Sequence, residues 1–443
     1  MTGDFRPERV LEKALARCQA AEVFHRRSVR TPVEFENNRL KQVRTAYSDG
    51  LALRVIAAGR VGFSTTTKPG DEEGLVDRAL SAAAGGGEAR FSFPGPSRLA
   101  VDADRFHHAE VAELGLAAMI ETGRDFLQRT VAVEPAALAG ARLEKEVREV
   151  RIVNSSGLDL TYRRTGFMAG FGIELIEGEN LLNVWEFRAS SDYPAAEIAE
   201  LQENALEQFR LGRKNVALTT GRYPVILAPH AGRDLLGPFR DCLNGQAVER
   251  GISPWGNRLG ETLFDPAVHL EDNPLLAGGP LSAPFDDEGW PAQPSPLVRA
   301  GMLEGFYLDL KSAAGLGRTS TGNGTRPGLE SIPSPSLSNV LMAPGQDSYL
   351  DLIGGIKLGL FVVHLMGAWA GNLLAGEVNG NVVLGYRIED GAIVGRVKDC
   401  MLSVNAFDAL NRGLRGLSRE TGWSMNYRLP YIALDDVAIS TKA

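Results

Sequence analysis

Six histidines and three cysteines carry most of the chemistry open to this sequence of 443 residues. The histidines are His25, His107, His108, His230, His269 and His364; the cysteines are Cys18, Cys242 and Cys400. A zinc ion takes about four N, S or O ligands in a tetrahedral array. Its commonest mark in a sequence is H-E-x-x-H, two histidines one helical turn apart with a glutamate beside the first. No such pair occurs. His107 and His108 are adjacent, so a strand turns them to opposite faces and a helix splays them apart. The sequence begins no local metal cluster, and any metal site has to be assembled from distant residues.

Other chemistries leave equally little trace. There is no G-x-S-x-G nucleophile elbow. Cys242 and Cys400 have no flanking motif, and lone intracellular cysteines behave as small buried hydrophobes. Gly315-Leu316-Gly317 and Gly322-Asn323-Gly324 are glycine-rich, but neither follows a clear strand and opens a helix, as a phosphate loop must. They read as turns that need positive φ. A net charge of -8 and a pI of about 5.5 argue against nonspecific DNA binding, which needs a concentrated basic face. Three scattered cysteines make no disulfide framework, and Met1 to Lys13 has no apolar signal core. Both point to a reducing cytoplasm.

The elements that must position any site are patterned in three blocks. Val10, Leu11, Ala14, Leu15 and Cys18 form one stripe and predict a helix over 8–26. Two apolar runs flank Ala58-Gly59-Arg60, which predicts a hairpin. Leu75, Val76, Ala79, Leu80 and Ala83 predict a helix over 73–84, stopped by Gly85-Gly86-Gly87. Phe93-Pro94-Gly95-Pro96 reads as a linker. The second block holds helices over 111–129 and near 198–209. Its strands are read at 148–153, 158–163 and 166–176. The third block opens on the strand Tyr223 to Leu227 and a helix over 234–243 with Leu235, Leu236 and Phe239 inward. Its end is mostly short strands, with one helix near 404–419. The apolar stretch 358–376 imitates a membrane span, but its glycines and His364 favour a buried strand over 360–366 followed by a turn.

Helices and strands cluster instead of alternating, which predicts an α+β fold. The expected parts are two small N-terminal domains of mixed helices and strands, 1–95 and 105–215, and a larger C-terminal domain, 222–443. The last is expected to be mostly antiparallel β with helices.

The order and spacing of short segments then match a known family. They are Phe35-Glu36, Gly50, Arg54-Val55, Gly62-Phe63-Ser64 and Asn154-Ser155-x-Gly157. They continue through Pro224-Val225-Ile226-Leu227, Pro284-Phe285-Asp286-Asp287-Glu288-Gly289, Arg299-x-Gly301-x-Leu303 and Ser320-Thr321-Gly322-Asn323-Gly324. Gly376-Glu377 and Gly385-Tyr386-x-Ile388-Glu389-x-Gly391 complete the series. Over almost its whole length the chain resembles the TldD/PmbA family, also called modulators of DNA gyrase. One branch of that family, TldD-like, carries H-E-x-x-x-H on the helix after the Pro-Val strand, plus a late cysteine ligand. Here Gly237 and Pro238 stand at the histidine and the general-base glutamate, and Cys242 at the second histidine. The late segment reads Gly422-Trp423-Ser424-Met425-Asn426, without cysteine.

The chain therefore resembles the PmbA/TldE branch. That resemblance implies no catalytic residue and no metal or other cofactor on this chain. It implies a cytoplasmic heterodimer with a TldD-like, zinc-bearing subunit that cleaves unfolded proteins or peptide precursors. It departs from the family at Gly376-Glu377-Val378-Asn379, where Gly-Asp before an aromatic and Ser is usual. The rival readings are a stand-alone hydrolase with a dispersed site and a homodimer that sequesters peptides. The glycine-rich run 354–391 is expected beside the chamber or the subunit interface. Gly371 there lets a peptide backbone approach, and His364, Asn372 and Glu377 are placed to orient it. His364 reads equally as a satisfied core histidine.

Overall fold

The computed structural model describes residues 5–442. One antiparallel sheet of seven strands organises the N-terminal half. Its strands are β1 (Ala20–Glu36), β2 (Arg39–Val43), β3 (Ala46–Ala57), β4 (Arg60–Thr66), β5 (Leu138–Asn154), β6 (Asp159–Glu177) and β7 (Asn180–Ser190). Their order is β4-β3-β1-β5-β6-β7, with β2 on β1. Strand β1 pairs with β5 from Glu22 to Phe35, so the blocks 1–95 and 105–215 share a single sheet. Ala58 and Gly59, both at positive φ, make the tight turn between β3 and β4.

Helices α1 (Pro7–Leu15) and α2 (Glu72–Ala84) cover one end of this sheet. Gly62 allows α2 to rest on β4, because a Cβ there would lie 2.0 Å from the Ala79 carbonyl. At the other end lie α3 (Ala109–Ala112), α4 (Leu116–Val133) and α5 (Ala195–Gly212). The last two share a core with the C-terminal half, in which Phe126, Phe171 and Phe209 meet Phe361, Leu384 and Tyr386.

An eleven-stranded sheet carries the C-terminal half. It begins at β8 (Gly221–Leu227), followed by helices α6 (Pro229–Leu235) and α7 (Gly237–Leu243). The short strands that follow are β9 (Leu270–Asp272), β10 (Ser295–Arg299), β11 (Met302–Leu303) and β14 (Val340–Met342), while β12 (Gly324–Thr325) and β13 (Ser334–Pro335) pair only with each other. The long ones are β15 (Leu358–Met366), β16 (Glu377–Glu389), β17 (Ala392–Arg396), β18 (Cys400–Asn405), β19 (Leu414–Ser424) and β20 (Tyr427–Thr441). Strands β20, β18, β16, β15 and β8 pair in turn, and β8 pairs back onto β20, so these five close a ring. Most pairings are antiparallel; β8 with β15 and β14 with β20 are parallel. The fold is α+β with a larger, largely antiparallel C-terminal part.

Several local expectations are corrected. The helix expected over 8–26 ends at Leu15, because Ala21 and Val23 reach the same core from strand β1, which gains two ladders. The helix expected over 111–129 is two helices. The one expected over 234–243 is α6 and α7, broken at Leu236. Pro238 in α7 has no N–H to continue a ladder, and its ring would crowd the carbonyl four residues back. Leu235, Leu236 and Phe239 are buried as expected. Of the helix expected over 404–419 only Ala406–Asn411 forms, capped by the Asn405 side chain; Leu414 and Leu417 belong to β19. The apolar run from 358 is β15 and a turn, and among the described residues no helix is long and apolar enough to cross a membrane.

Many of the segments that carry the resemblance meet where the two halves touch. Arg54 donates to both carboxylate oxygens of Glu22, at 3.0 and 2.7 Å, and to Glu288 at 2.7 Å. Arg326 also reaches Glu22, at 3.0 Å. All four side chains are buried. Asp286 accepts from the backbone N–H groups of Glu288, Trp290 and Gly324, and Asp287 from that of Arg326. Phe285 packs edge-on against Tyr162. These segments clamp the N-terminal sheet to the C-terminal loops.

Candidate functional site

Helix α7 holds the positions where a catalytic zinc would be expected. Gly237 and Pro238 offer no donor atom. The Leu373 side chain lies 3.9 Å from where a Cβ on Gly237 would be, and the Cys242 sulfur lies 4.0 Å from the Leu374 carbonyl. Cys242 is buried in the C-terminal core, and burial pushes its thiol up to about 12. An apolar turn, Leu373–Ala375, thus packs against the slot. These residues do not fit a zinc ion.

The same turn places three of the expected peptide-binding residues together. Asn372 accepts from the Ala375 N–H, and Glu377 accepts from the Asn372 N–H at 3.2 Å. A Cβ on Gly371 would lie 2.9 Å from the Glu377 carbonyl oxygen. Asn372 and Glu377 are exposed, as are Met366 and Trp369 just before them, the last at 76%. His364 is elsewhere, turned into the interior.

His364 joins a cluster assembled from four parts of the chain. Alternation along β7 buries Leu182, Val184, Glu186, Arg188 and Ser190, which carries Glu186 inward beside two apolar residues. Pro229 at the first position of α6 starts the helix that presents His230. A bulge in β15 against β16 falls at His364 and re-aims its side chain. The tight β19–β20 hairpin, with Met425 at φ 55°, carries Ser424.

Glu186 Oε2 lies 3.2 Å from His230 Nε2, and Ser424 Oγ lies 3.0 Å from His230 Nδ1. Gln208 Nε2 donates to the other Glu186 oxygen at 2.6 Å. His364 Nε2 donates to the Trp185 carbonyl at 2.9 Å. The two imidazoles sit 4.7 Å apart centre to centre, and the Trp185 ring stacks on His364 at 3.8 Å. Burial raises the Glu186 carboxyl, but the His230 hydrogen bond and the nearby imidazoles outweigh it and hold it below its ordinary range. Burial, then the neighbouring His230, pushes His364 down to about 3, so it stands neutral. One donor atom from each of Glu186, His230 and His364 lies within 4.8 Å of the others, and among the described residues this is the one such group.

No spacing in the sequence announces this cluster. His230 is 44 residues from Glu186 and 194 from Ser424, and only the packing of β7 on the C-terminal ring unites them. A carboxylate alternating inward with Leu182 and Val184 was the one available signal.

The family model described as the PmbA/TldA metallopeptidase C-terminal domain matches residues 220–441, and that described as domain 1 matches residues 21–84. The chain belongs to the PmbA/TldD family. An uncharacterized protein of Methanocaldococcus jannaschii is 24% identical over 89% of this chain and 90% of its own length. A metalloprotease TldD homolog of Haemophilus influenzae is 28% identical, over 47% of this chain and 44% of its own length. The match to that homolog therefore spans less than half of either protein. Among solved structures, TldE from Thermococcus kodakarensis superposes with a TM-score of 0.89 at 21% identity, over 98% of this chain and 99% of its own. That likeness is one of fold.

Proposed function

We propose that this PmbA/TldD-family chain is a non-catalytic, TldE-like cytoplasmic subunit that pairs with a TldD-like zinc peptidase and completes its chamber for unfolded or precursor peptides. The observation that carries the reading is the slot on α7. Gly237 and Pro238 bring no ligand or base, and Cys242 is sealed under the Leu373–Ala375 turn. A metal-bound water cannot be generated there. Exposed Met366 and Trp369 beside Gly371, Asn372 and Glu377 support an interface or peptide path on that loop.

A stand-alone hydrolase draws on one feature, the line Ser424–His230–Glu186 of hydroxyl, imidazole and carboxylate. Ser424 is 1% exposed, which leaves no room for an acyl group to reach it.

The test is co-expression with the TldD-like protein of the same organism, followed by size analysis and a peptidase assay with added zinc. The chain alone is expected to be inactive, and the mixed complex to cleave unfolded substrate. Cleavage by the chain alone, or no association with the partner, overturns the reading.

A further inference from the structure

We propose that Glu186, His230 and His364 bind one divalent transition-metal ion of the zinc class, at a site that uses none of the family's slot residues. Two imidazoles and a carboxylate are a donor set such ions take, with a fourth position left for water or a hydroxyl. Metal–ligand bonds of about 2.0–2.1 Å in a tetrahedron put neighbouring donors roughly 3.3 Å apart. Glu186 and His230 already stand at 3.2 Å. One donor atom from each of the three lies within 4.8 Å of the others.

The surroundings are those of a ligand set. Metal-binding histidines give their second ring N–H to a carbonyl, carboxylate or similar acceptor, and bound carboxylates are themselves hydrogen-bonded. Here the Trp185 carbonyl takes the His364 Nε2 proton, Ser424 meets His230 Nδ1, and Gln208 holds Glu186. A carbonyl only accepts, so His364 keeps its lone pair on Nδ1. Ser424 can turn its hydroxyl either way. It donates to Nδ1 while a proton bridges His230 and Glu186, and it accepts from Nδ1 when an ion takes that proton's place. Trp185, 37% exposed and stacked on His364, separates the site from solvent by one ring. The ion would tie β7 to α6 and β15, across the two halves of the chain.

The test is titration of the chelator-stripped full chain with Co2+ and with Zn2+. One Co2+ per chain is expected, with visible absorption bands of a histidine-bound ion, quenching of tryptophan fluorescence and a raised unfolding temperature under Zn2+. His230→Gln and His364→Gln should weaken binding at least 100-fold, and Ser424→Ala, which keeps all three ligands, about 10-fold or more. Cys242→Ser should bind as the parent does. If the histidine variants do not fold, X-ray absorption of the Co2+ form must still report two imidazoles. No saturable binding by the parent, binding that survives in folded His230→Gln and His364→Gln, or an absorption spectrum without imidazole overturns the proposal. None of these readouts is peptidase activity, so the metal site and the non-catalytic role fail separately.

Discussion

Replacing Arg54 with alanine tests whether the buried ion pairs between the two halves of this chain are a clamp. The guanidinium holds Glu22 with two hydrogen bonds and Glu288 with a third, and all three side chains are almost wholly buried. Without it, Glu22 keeps Arg326, whereas Glu288 keeps only the Leu310 N–H at 2.7 Å. A buried carboxylate stripped of its cation costs about 3–5 kcal/mol. The stacking of Arg54 on Phe91 and Phe93 is lost as well. For a chain with a urea m-value of about 3 kcal/mol per molar, the unfolding midpoint should fall by about 1 M or more. Urea unfolding followed by circular dichroism and by tryptophan fluorescence measures this. Arg54→Ala combined with Glu288→Ala should cost less than the sum of the single changes by about 2 kcal/mol, because the second removes the orphaned charge. An Arg54→Ala midpoint within about 0.3 M of the parent, or strict additivity in the double variant, refutes the clamp.

Asp272 is buried, and burial outweighs its bonds from Asn323 and Ser338 to push its carboxyl up to about 7. Between pH of about 4 and 7 the folded chain holds a proton that the unfolded chain releases, so this group's contribution falls as pH rises and is flat above 7. From pH 5 to 8 the loss is about 3 kcal/mol, and Asp272→Asn should flatten that part of the stability profile; an unchanged profile excludes the effect. Cys242 and Cys400 are buried with raised thiol pKa values, so a thiol reagent should label the half-buried Cys18 first and the other two only on unfolding. A Cβ on Gly289, at φ 80°, would lie 2.4 Å from Leu158, whereas Gly59, at φ 72°, faces open space. Gly289→Ala should therefore cost about 1–3 kcal/mol more than Gly59→Ala in thermal unfolding.

The parts of the fold that could be read in the sequence are those where one period rules. Leu75 to Ala83 makes a helix because its stripe meets a strand face directly, and glycines stop it. The turn at Ala58-Gly59 follows from the need for positive φ. The failures lie where an apolar stripe suits two structures. Cys18 and the residues after it keep helical spacing, yet Ala20–Glu36 joins two neighbours along nearly its whole length, and those ladders outweigh one more turn of helix. Phe407, Leu410, Leu414 and Leu417 have helical spacing as well. Pairing with β20 takes the last two, and a Cβ on Gly413 would press on Ala409. The cluster at Glu186, His230 and His364 lay beyond such reading, since no spacing links residues brought together by three different elements.

The clamp and the candidate sites therefore occupy different places. The clamp needs Arg54, Asp286, Asp287 and Glu288 as buried partners in fixed geometry, and Gly324 because a Cβ there would lie 2.2 Å from a Glu288 oxygen. Asn323 plays a similar structural part, since its amide holds Asp272 at 2.6 Å and the Ser336 carbonyl at 2.9 Å. None of these groups touches the slot on α7 or the histidine cluster. The clamp thus holds the two halves together, and α7 carries the residues on which the proposed non-catalytic role rests. For that reason the peptidase assay on the isolated chain bears on function more directly than any likeness of fold.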